Sequence, residues 1–315
     1  MANTTFSGPI RSENNVQLIS KTASTGVVHN RTQGFGLRDA RRYYLYESFA
    51  KKPGLNAVAI IDPDADSASD LAAFVIANRD FETLGTNMTT ALTTFPGTQA
   101  GILMTTAGSD ADQSILLPHL DTNQSAWAKV LWGTENQVEW ECSINLAATD
   151  NQKVWAGLKL TNDQLPQTDA DQAYFYYASD ATNGQLIDDY SPWYFIYSVN
   201  GTDYLTNTGI SVAASTNYHF KISIDSDRKP SIFINGVQKS VSTSAITAFD
   251  GSTSVTGTTQ ATIAANYSAA NANTQKGAAM KNDVDLIPYI GIENGAAAAE
   301  VLNVHYQAIS RHVFE

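Results

Sequence analysis

Residues 218–241, YHFKISIDSDRKPSIFINGVQKSV, contain two short runs in which apolar and polar residues alternate. An Asp-Ser-Asp segment follows the first run, and an Asn-Gly pair follows the second. Successive side chains of a strand point to opposite faces, so this pattern predicts adjacent antiparallel strands with one face in solvent. The apolar residues that define the buried face are Phe220, Ile222, Ile224, Ile232, Ile234 and Val237.

Similar runs recur along most of the chain. The clearest is residues 137–146, where Val138, Trp140, Cys142, Ile144 and Leu146 share one face. Short strands at this spacing, with turn residues between them, predict an antiparallel double sheet. The other runs that we interpret as strands are residues 81–84, 101–106, 114–118, 154–160, 173–177, 193–198, 287–293 and 301–309.

Residues 218–241 resemble the laminin-G-like, concanavalin-A-type jelly roll, in which a strand ending in Ile-Asp turns into a strand ending in Ile-Asn-Gly. The motifs P-Y-I-G-I and L-x-V-x-Y-x-x-I, within residues 288–309, resemble the end of the same fold. The resemblance spans roughly residues 80–309. It implies an all-β antiparallel β-sandwich, a fold that is used more often for binding than for catalysis.

The opening MANTTFSGPIRSEN resembles the openings of structural proteins on short-tailed phage particles. This resemblance implies a virion surface protein, and specifically a capsid decoration (cement) protein on the outer capsid surface. Such a protein would be assembled in the cytoplasm of the host bacterium. Its expected partners are the major capsid protein and further copies of itself, as a homotrimer, with host surface glycans as an additional partner. The alternative is a carbohydrate-binding adhesin or a tail-fibre or spike component.

The chain divides into three parts by composition. Residues 1–36 are rich in Thr, Ser, Asn and Gly and predict an extended N-terminal arm. Residues 37–79 form a basic-to-acidic connecting segment that we expect to pack partly on the sandwich; its run RRYYLYESFA is compatible with a strand or a short helix. Residues 80–315 form the predicted jelly roll, with a low-complexity insertion at about 246–282.

Charge is unevenly distributed. The chain has 19 Lys and Arg residues and 31 Asp and Glu residues, a net charge of −12. Residues 1–60 hold eight basic and three acidic residues, or +5, which leaves 11 basic and 28 acidic residues, or −17, for the remainder. An acidic body repels nucleic acid, whereas a basic segment suits docking on an acidic protein surface. The candidate capsid-docking residues are Arg31, Arg38, Arg41 and Arg42.

A set of aromatic residues lies in the runs at residues 173–177 and 193–198. Aromatic faces stack on sugar rings, but large aromatic side chains also fill the core of a sandwich. Glycan binding predicts that these residues are exposed, and core packing predicts that they are buried. The candidate glycan or subunit contacts are Tyr176, Trp193, Tyr194 and Tyr197.

We expect no catalytic site, cofactor or metal. Glu139 and Glu141 share one face of their strand, but Ser143 stands where laminarinase-type hydrolases carry a third acid. Residues 62–66, DPDAD, are not followed by the Gly and Glu of an EF-hand loop, and the five His residues show no metal-binding spacing. The single Cys142 excludes an internal disulfide, and no apolar run is long enough to span a membrane.

Overall fold

A computed structural model describes residues 19–21, 28–30, 42–49, 55–57, 81–84, 90–94, 101–118, 120–121, 124–125, 132–161, 169–179, 191–246 and 275–312. These residues form two large β-sheets, two separate two-stranded hairpins and one 3-10 turn, Thr134–Asn136. Within the part of the chain so described, no helix has the length and apolar character needed to cross a membrane. The acidic segment at residues 62–66, which does not match an EF-hand loop, lies outside the described residues.

Strands are numbered β1–β21 in chain order. Sheet I is antiparallel, and β3 (Arg42–Glu47) extends it by pairing with β21. The run RRYYLYESFA therefore contributes a strand rather than a helix. The order across sheet I is β18 (Val237–Lys239), β17 (Pro230–Ile234), β16 (Asn217–Ile224), β11 (Glu139–Leu146), β21 (Val301–His312), β7 (Ile102–Thr105) and β6 (Thr90–Thr94).

Sheet II packs against sheet I and is antiparallel except for the pairing of its last two strands. Its order is β19 (Ala245–Ile246), β15 (Thr202–Ser211), β14 (Pro192–Val199), β13 (Gln172–Ala178), β12 (Gln152–Lys159), β20 (Ile287–Asn294), β8 (Gln113–Pro118), β5 (Phe81–Leu84) and β4 (Leu55–Ala57).

The two separate hairpins lie outside these sheets. One pairs β9 (Leu120–Asp121) with β10 (Gln124–Ser125). The other pairs β1 (Ile19–Lys21) with β2 (Val28–Asn30), and β2 lies beside β18 at the edge of sheet I. Both β1 and β2 belong to the predicted N-terminal arm; the rest of that arm lies outside the described residues.

The hairpin predicted from residues 218–241 is confirmed. Strand β16 pairs with β17 so that Ile222 lies opposite Ile232, and both side chains are fully buried. The turn from β17 into β18 places Asn235 and Gly236 at φ 51° and 78°. Two successive positive φ values define a type I′ turn, which Asn-Gly adopts with little strain.

The core between the sheets is rich in aromatic residues. The rings of Phe175 and Phe220 stack across the sandwich with centroids 4.2 Å apart. Trp193 meets Phe220 edge to face at 4.8 Å, and the indole is completely buried. Strand β11 follows the predicted alternation, and its Cys142 is a buried free thiol.

The central strands of sheet II are buried on both faces. Every residue of β13 and β20 is buried, as is every residue of β14 except Val199. The face turned away from the core carries a second buried cluster. Its larger members are Trp155, Tyr174, Tyr176, Tyr194, Tyr289, Ile115, Ile196, Leu205 and Ile287. The predicted solvent-facing side concerns residues 218–241, whose strands lie in sheet I.

Charged side chains beside the second buried cluster are paired. The Nζ atom of Lys159 lies 3.7 Å from Asp169 Oδ2 and 4.7 Å from the centre of the Tyr289 ring. The Nζ atom of Lys153 lies 2.6 Å from Glu293 Oε1. A buried charge is tolerated when an opposite charge and hydrogen bonds compensate it, so these pairs fit an interior surface.

The indole of Trp155 lies flat over Gly291, and this close approach yields a first prediction. A Cβ atom at residue 291 would fall 2.4 Å from Trp155 Cε2 and Cζ2. Because the buried ring has no free space to move into, Gly291→Ala should lower the free energy of unfolding by about 1–3 kcal/mol in urea denaturation.

Gly108→Ala is the matched control. A Cβ atom at residue 108 would meet nothing within 4 Å. We expect no loss of stability from this change, because it mainly restricts the unfolded chain. Equal destabilisation by the two substitutions would contradict the close packing of Trp155 on β20.

Candidate functional site

Among the four predicted capsid-docking residues, only Arg42 lies within the described residues. It is half-buried at the start of β3, and its guanidinium is held by the sandwich. Its Nη2 atom donates to the carbonyl oxygen of Gln137 at 2.8 Å and to the hydroxyl of Ser310 at 2.9 Å. Arg42 therefore joins β3 to β21. Arg31, Arg38 and Arg41 lie outside the described residues, so their docking role stays a prediction.

The four candidate glycan or subunit contacts are all buried. Trp193 and Tyr197 point into the core between the sheets, and the Tyr197 hydroxyl donates to the carbonyl oxygen of Ser242 at 2.8 Å. Tyr176 and Tyr194 lie opposite each other in the second buried cluster. This placement is the one that core packing predicts.

A stacked aromatic pair, with one exposed and one half-buried ring, lies on the outer face of sheet I, the face turned away from sheet II. Among the described residues, Tyr46 of β3 is the one large hydrophobic residue that is exposed, and its exposed fraction is 38%. Its ring stacks on that of Tyr306 from β21, with centroids 5.5 Å apart and an angle of 26° between the planes. The pair presents aromatic surface to solvent from two rigid, neighbouring strands.

A shallow pocket lies beside this pair, and we call it the Glu141 pocket. Strands β11, β16, β17 and β21 supply its walls, so its shape is set by the sheet. His219 Nδ1 lies 3.4 Å from the hydroxyl oxygen of Tyr306, which connects the pocket to the aromatic pair. The pocket is lined by Glu141, His219, Phe220, Lys221, Phe233, Gly236 and Tyr306.

The two carboxylates of β11 share the outer face, as the sequence predicts, but their environments differ. Lys221 Nζ donates to Glu139 Oε2 at 2.8 Å. Burial alone would raise the pKa of Glu139, but Lys221 and Arg42 outweigh burial and lower it. Glu139 is therefore held as a carboxylate by its two cationic neighbours.

Glu141 has no hydrogen bond or ion pair with the described residues. Burial raises the pKa of its carboxyl to about 7; Lys221 opposes this shift, and Glu139 adds to it. At neutral pH the group is close to half-protonated. A carboxyl group in this state offers acceptor oxygens that no donor among the described side chains and backbone groups occupies.

Amide and imidazole groups extend the polar surface next to the pocket. His305 Nε2 lies 3.1 Å from Asn217 Oδ1, and Asn145 Nδ2 donates to the same oxygen at 3.0 Å. Burial and the nearby His305 lower the pKa of His219, so its imidazole is neutral at pH 7. Side chains of this kind can donate to and accept from a polar ligand.

The sequence analysis did not identify Tyr46, Tyr306 or His219 as parts of one site. The pairing of β11 with β21 shifts register between Ser143 and Ile144, which leaves His305 without an opposite residue. Such a bulge redirects side chains and is not visible in a simple alternation of polarity. The sequence signal that could have pointed to Tyr46 was the alternation of large side chains in RRYYLYESFA. In the structure this run contains β3.

In the described parts of the chain, no three His, Cys, Asp or Glu side chains are grouped so that they could hold a metal ion.

No model of a known protein family matches the chain, and no curated protein matches it. Among solved structures, it is similar to peanut lectin, with 9% identity and a TM-score of 0.42 over 86% of this chain and 97% of the lectin. A family GH16 endo-β-1,3(4)-glucanase gives 9% identity and a TM-score of 0.42 over 87% and 92% of the chains. A Shewanella oneidensis protein of unknown function gives 10% and 0.39 over 86% of each chain.

At these identities and TM-scores, the similarities carry no argument about this chain. Its own two large, predominantly antiparallel sheets make it an all-β sandwich. The predicted fold class is thereby confirmed. The predicted virion origin, partners and location receive no support from these structures and stay predictions.

The unpaired Glu141 gives a second prediction. Because its pKa is raised in the folded protein, folding favours the protonated acid and becomes less favourable as pH rises from the ordinary value of 4.5 to about 7. Glu141→Gln should therefore raise the melting temperature at pH 8 and leave it nearly unchanged at pH 4.

Glu139→Gln serves as the comparison, because the pKa of Glu139 is shifted in the opposite direction. A lowered pKa contributes stability above the unfolded value, and this contribution is lost as pH falls through the folded value. We expect Glu139→Gln to lower the melting temperature at pH 8. Lower stability for both variants at pH 8 would contradict the different environments of the two acids.

Proposed function

We propose that this chain is a carbohydrate-binding protein and that the outer face of sheet I is its binding surface. The observation that carries the proposal is the stack of the exposed Tyr46 on the half-buried Tyr306 beside the Glu141 pocket. An aromatic face packs against the apolar face of a sugar ring, while neighbouring polar groups bind its hydroxyls. Both kinds of group lie side by side here.

Rigidity supports the same proposal. The binding residues project from paired strands of one sheet rather than from long loops. The Tyr46 and Tyr306 rings already hold each other in place, so little side-chain freedom would be lost when a ligand binds. A shallow, preformed surface of this kind suits one or a few sugar residues of a longer glycan.

A glycan array followed by titration calorimetry tests the proposal. We expect the full chain to bind at least one glycan on the array. Tyr46→Ala should weaken that binding by about tenfold or more, because it removes the exposed ring and about 1.4 kcal/mol corresponds to tenfold. Tyr46→Phe keeps the ring and should retain most of the affinity.

This pair of variants separates ring stacking from a general loss of structure. Circular dichroism of both variants checks that the sandwich is intact. Binding that is unaffected by Tyr46→Ala would remove the aromatic pair from the site. An array without any bound glycan would overturn the proposed function.

A second candidate function is decoration of a phage capsid, attached through the basic N-terminal arm. The charge distribution favours it, with +5 over residues 1–60 and −17 over the remainder. A basic arm can order itself on an acidic shell that presents a preformed groove. Several copies, as in a homotrimer, would strengthen weak attachment by avidity. The two candidates are compatible, because the arm and the outer face of sheet I are different parts of the chain.

Capsids that lack the protein provide the test. We expect the full chain to bind them in fixed stoichiometry and a chain beginning after Gly36 not to bind. The truncation keeps Arg42 and the whole of β3, so the sandwich retains that strand. Binding by both forms would place the docking site on residues after Gly36, and binding by neither would overturn the decoration hypothesis.

A further inference from the structure

We infer that the Glu141 pocket selects sugars without an acidic group, because Glu141 accepts hydrogen bonds from ligand hydroxyls there. This inference rests on the proposed function and specifies its ligand class. It concerns which glycans the outer face of sheet I accepts and which it rejects.

The two acids of β11 differ in the hydrogen bonds that their carboxyl groups accept. Glu139 has two donors, since Lys221 and the hydroxyl of Ser223 bond to its two oxygens at 2.8 and 3.3 Å. Glu141 has no such donor among the described residues, although it lines the same pocket. Lys221 is thus engaged by Glu139, and the free acceptor in the pocket is Glu141.

The titratable groups around Glu141 lie on four strands, β11, β16, β21 and β3. Strand β11 contributes Glu139, which is paired with Lys221 of β16. His219 of β16 is neutral at pH 7 because burial and His305 of β21 lower its pKa.

The two tyrosines nearby remain uncharged as well. Burial, reinforced by Glu141, raises the pKa of Tyr46 on β3 and of Tyr306 on β21. Glu47, the one acid of β3, accepts a hydrogen bond from the Phe49 amide at 2.5 Å. Among the described residues that line the pocket, the ionised Glu141 therefore carries a negative charge that forms no ion pair.

The functional groups of a sugar determine whether the Glu141 pocket accepts it. Vicinal hydroxyls can donate to the two oxygens of a carboxylate, and hydrogen bonds to charged groups are the stronger kind. A uronate or another acidic sugar would bring a second negative charge to a partly desolvated carboxylate. Like charges at such a site repel each other strongly, so acidic sugars are rejected.

Matched oligosaccharides test the selection. Neutral gluco-, manno- and galacto-oligosaccharides are each compared with the same chain carboxylated at carbon 6, by titration calorimetry at pH 6, 7 and 8. For the wild-type chain, we expect at least one neutral member to bind about tenfold tighter than its acidic counterpart at pH 8.

The pH dependence follows from the same group. Ligand binding requires the Glu141 carboxylate, whose pKa in the free protein is about 7, so affinity for the neutral sugar should fall from pH 8 to pH 6. Discrimination against the acidic sugar should shrink over the same range. Glu141→Gln should bind the neutral sugar about tenfold more weakly at pH 8, with little pH dependence and little discrimination.

Asp227→Asn is the control for net charge. It removes one acidic charge from an exposed turn between β16 and β17. This variant should keep the wild-type selectivity and pH profile. Equal binding of both sugars by the wild type, or unchanged selectivity in Glu141→Gln, would overturn the inference and leave carbohydrate binding in place. No binding of any oligosaccharide to the wild type would overturn the proposed function as well.

Discussion

The structure depends on the burial of the central strands of sheet II on both faces. Phe175, Trp193 and Phe195 fill the core on one side, while Trp155 and Tyr176 lie in the second buried cluster on the other. Burial of this much apolar surface is the main stabilising contribution in a β-sandwich. It also leaves the outer face of sheet I as the large sheet surface on which a ligand can meet ordered, exposed side chains.

The fold was predictable because two of its strands carry unambiguous patterns. The alternation in β11 and β16 shows one buried and one solvent-facing side, and the Asn235-Gly236 turn reports a hairpin. The second buried cluster was not predictable in the same way. A run such as WYFIYS is apolar at almost every position, and the sequence does not say which residues face the core and which face a second layer.

The site was less predictable than the fold because long-range pairing creates it. The candidate contacts Tyr176, Trp193, Tyr194 and Tyr197 were predicted because they lie in runs rich in aromatic residues. In this structure those runs are buried. The pocket instead combines residues of four separate strands, which come together only through the register of sheet I. Sequence spacing therefore predicted the shared face of Glu139 and Glu141 but not their different environments.

The position of β3 has a consequence for how the proposed binding surface forms. Arg42 and Ser310, which hydrogen-bond across the β3–β21 pair, are 268 residues apart in the chain. Contacts of such separation form slowly and late, since a long loop must close first. During synthesis, Tyr46 leaves the ribosome long before Tyr306 and has no ring to stack on. In the newly made chain, the tyrosine-rich segment of β3 is therefore unpaired until β21 has been synthesised. The proposed binding surface is complete only after β21 has joined the sheet.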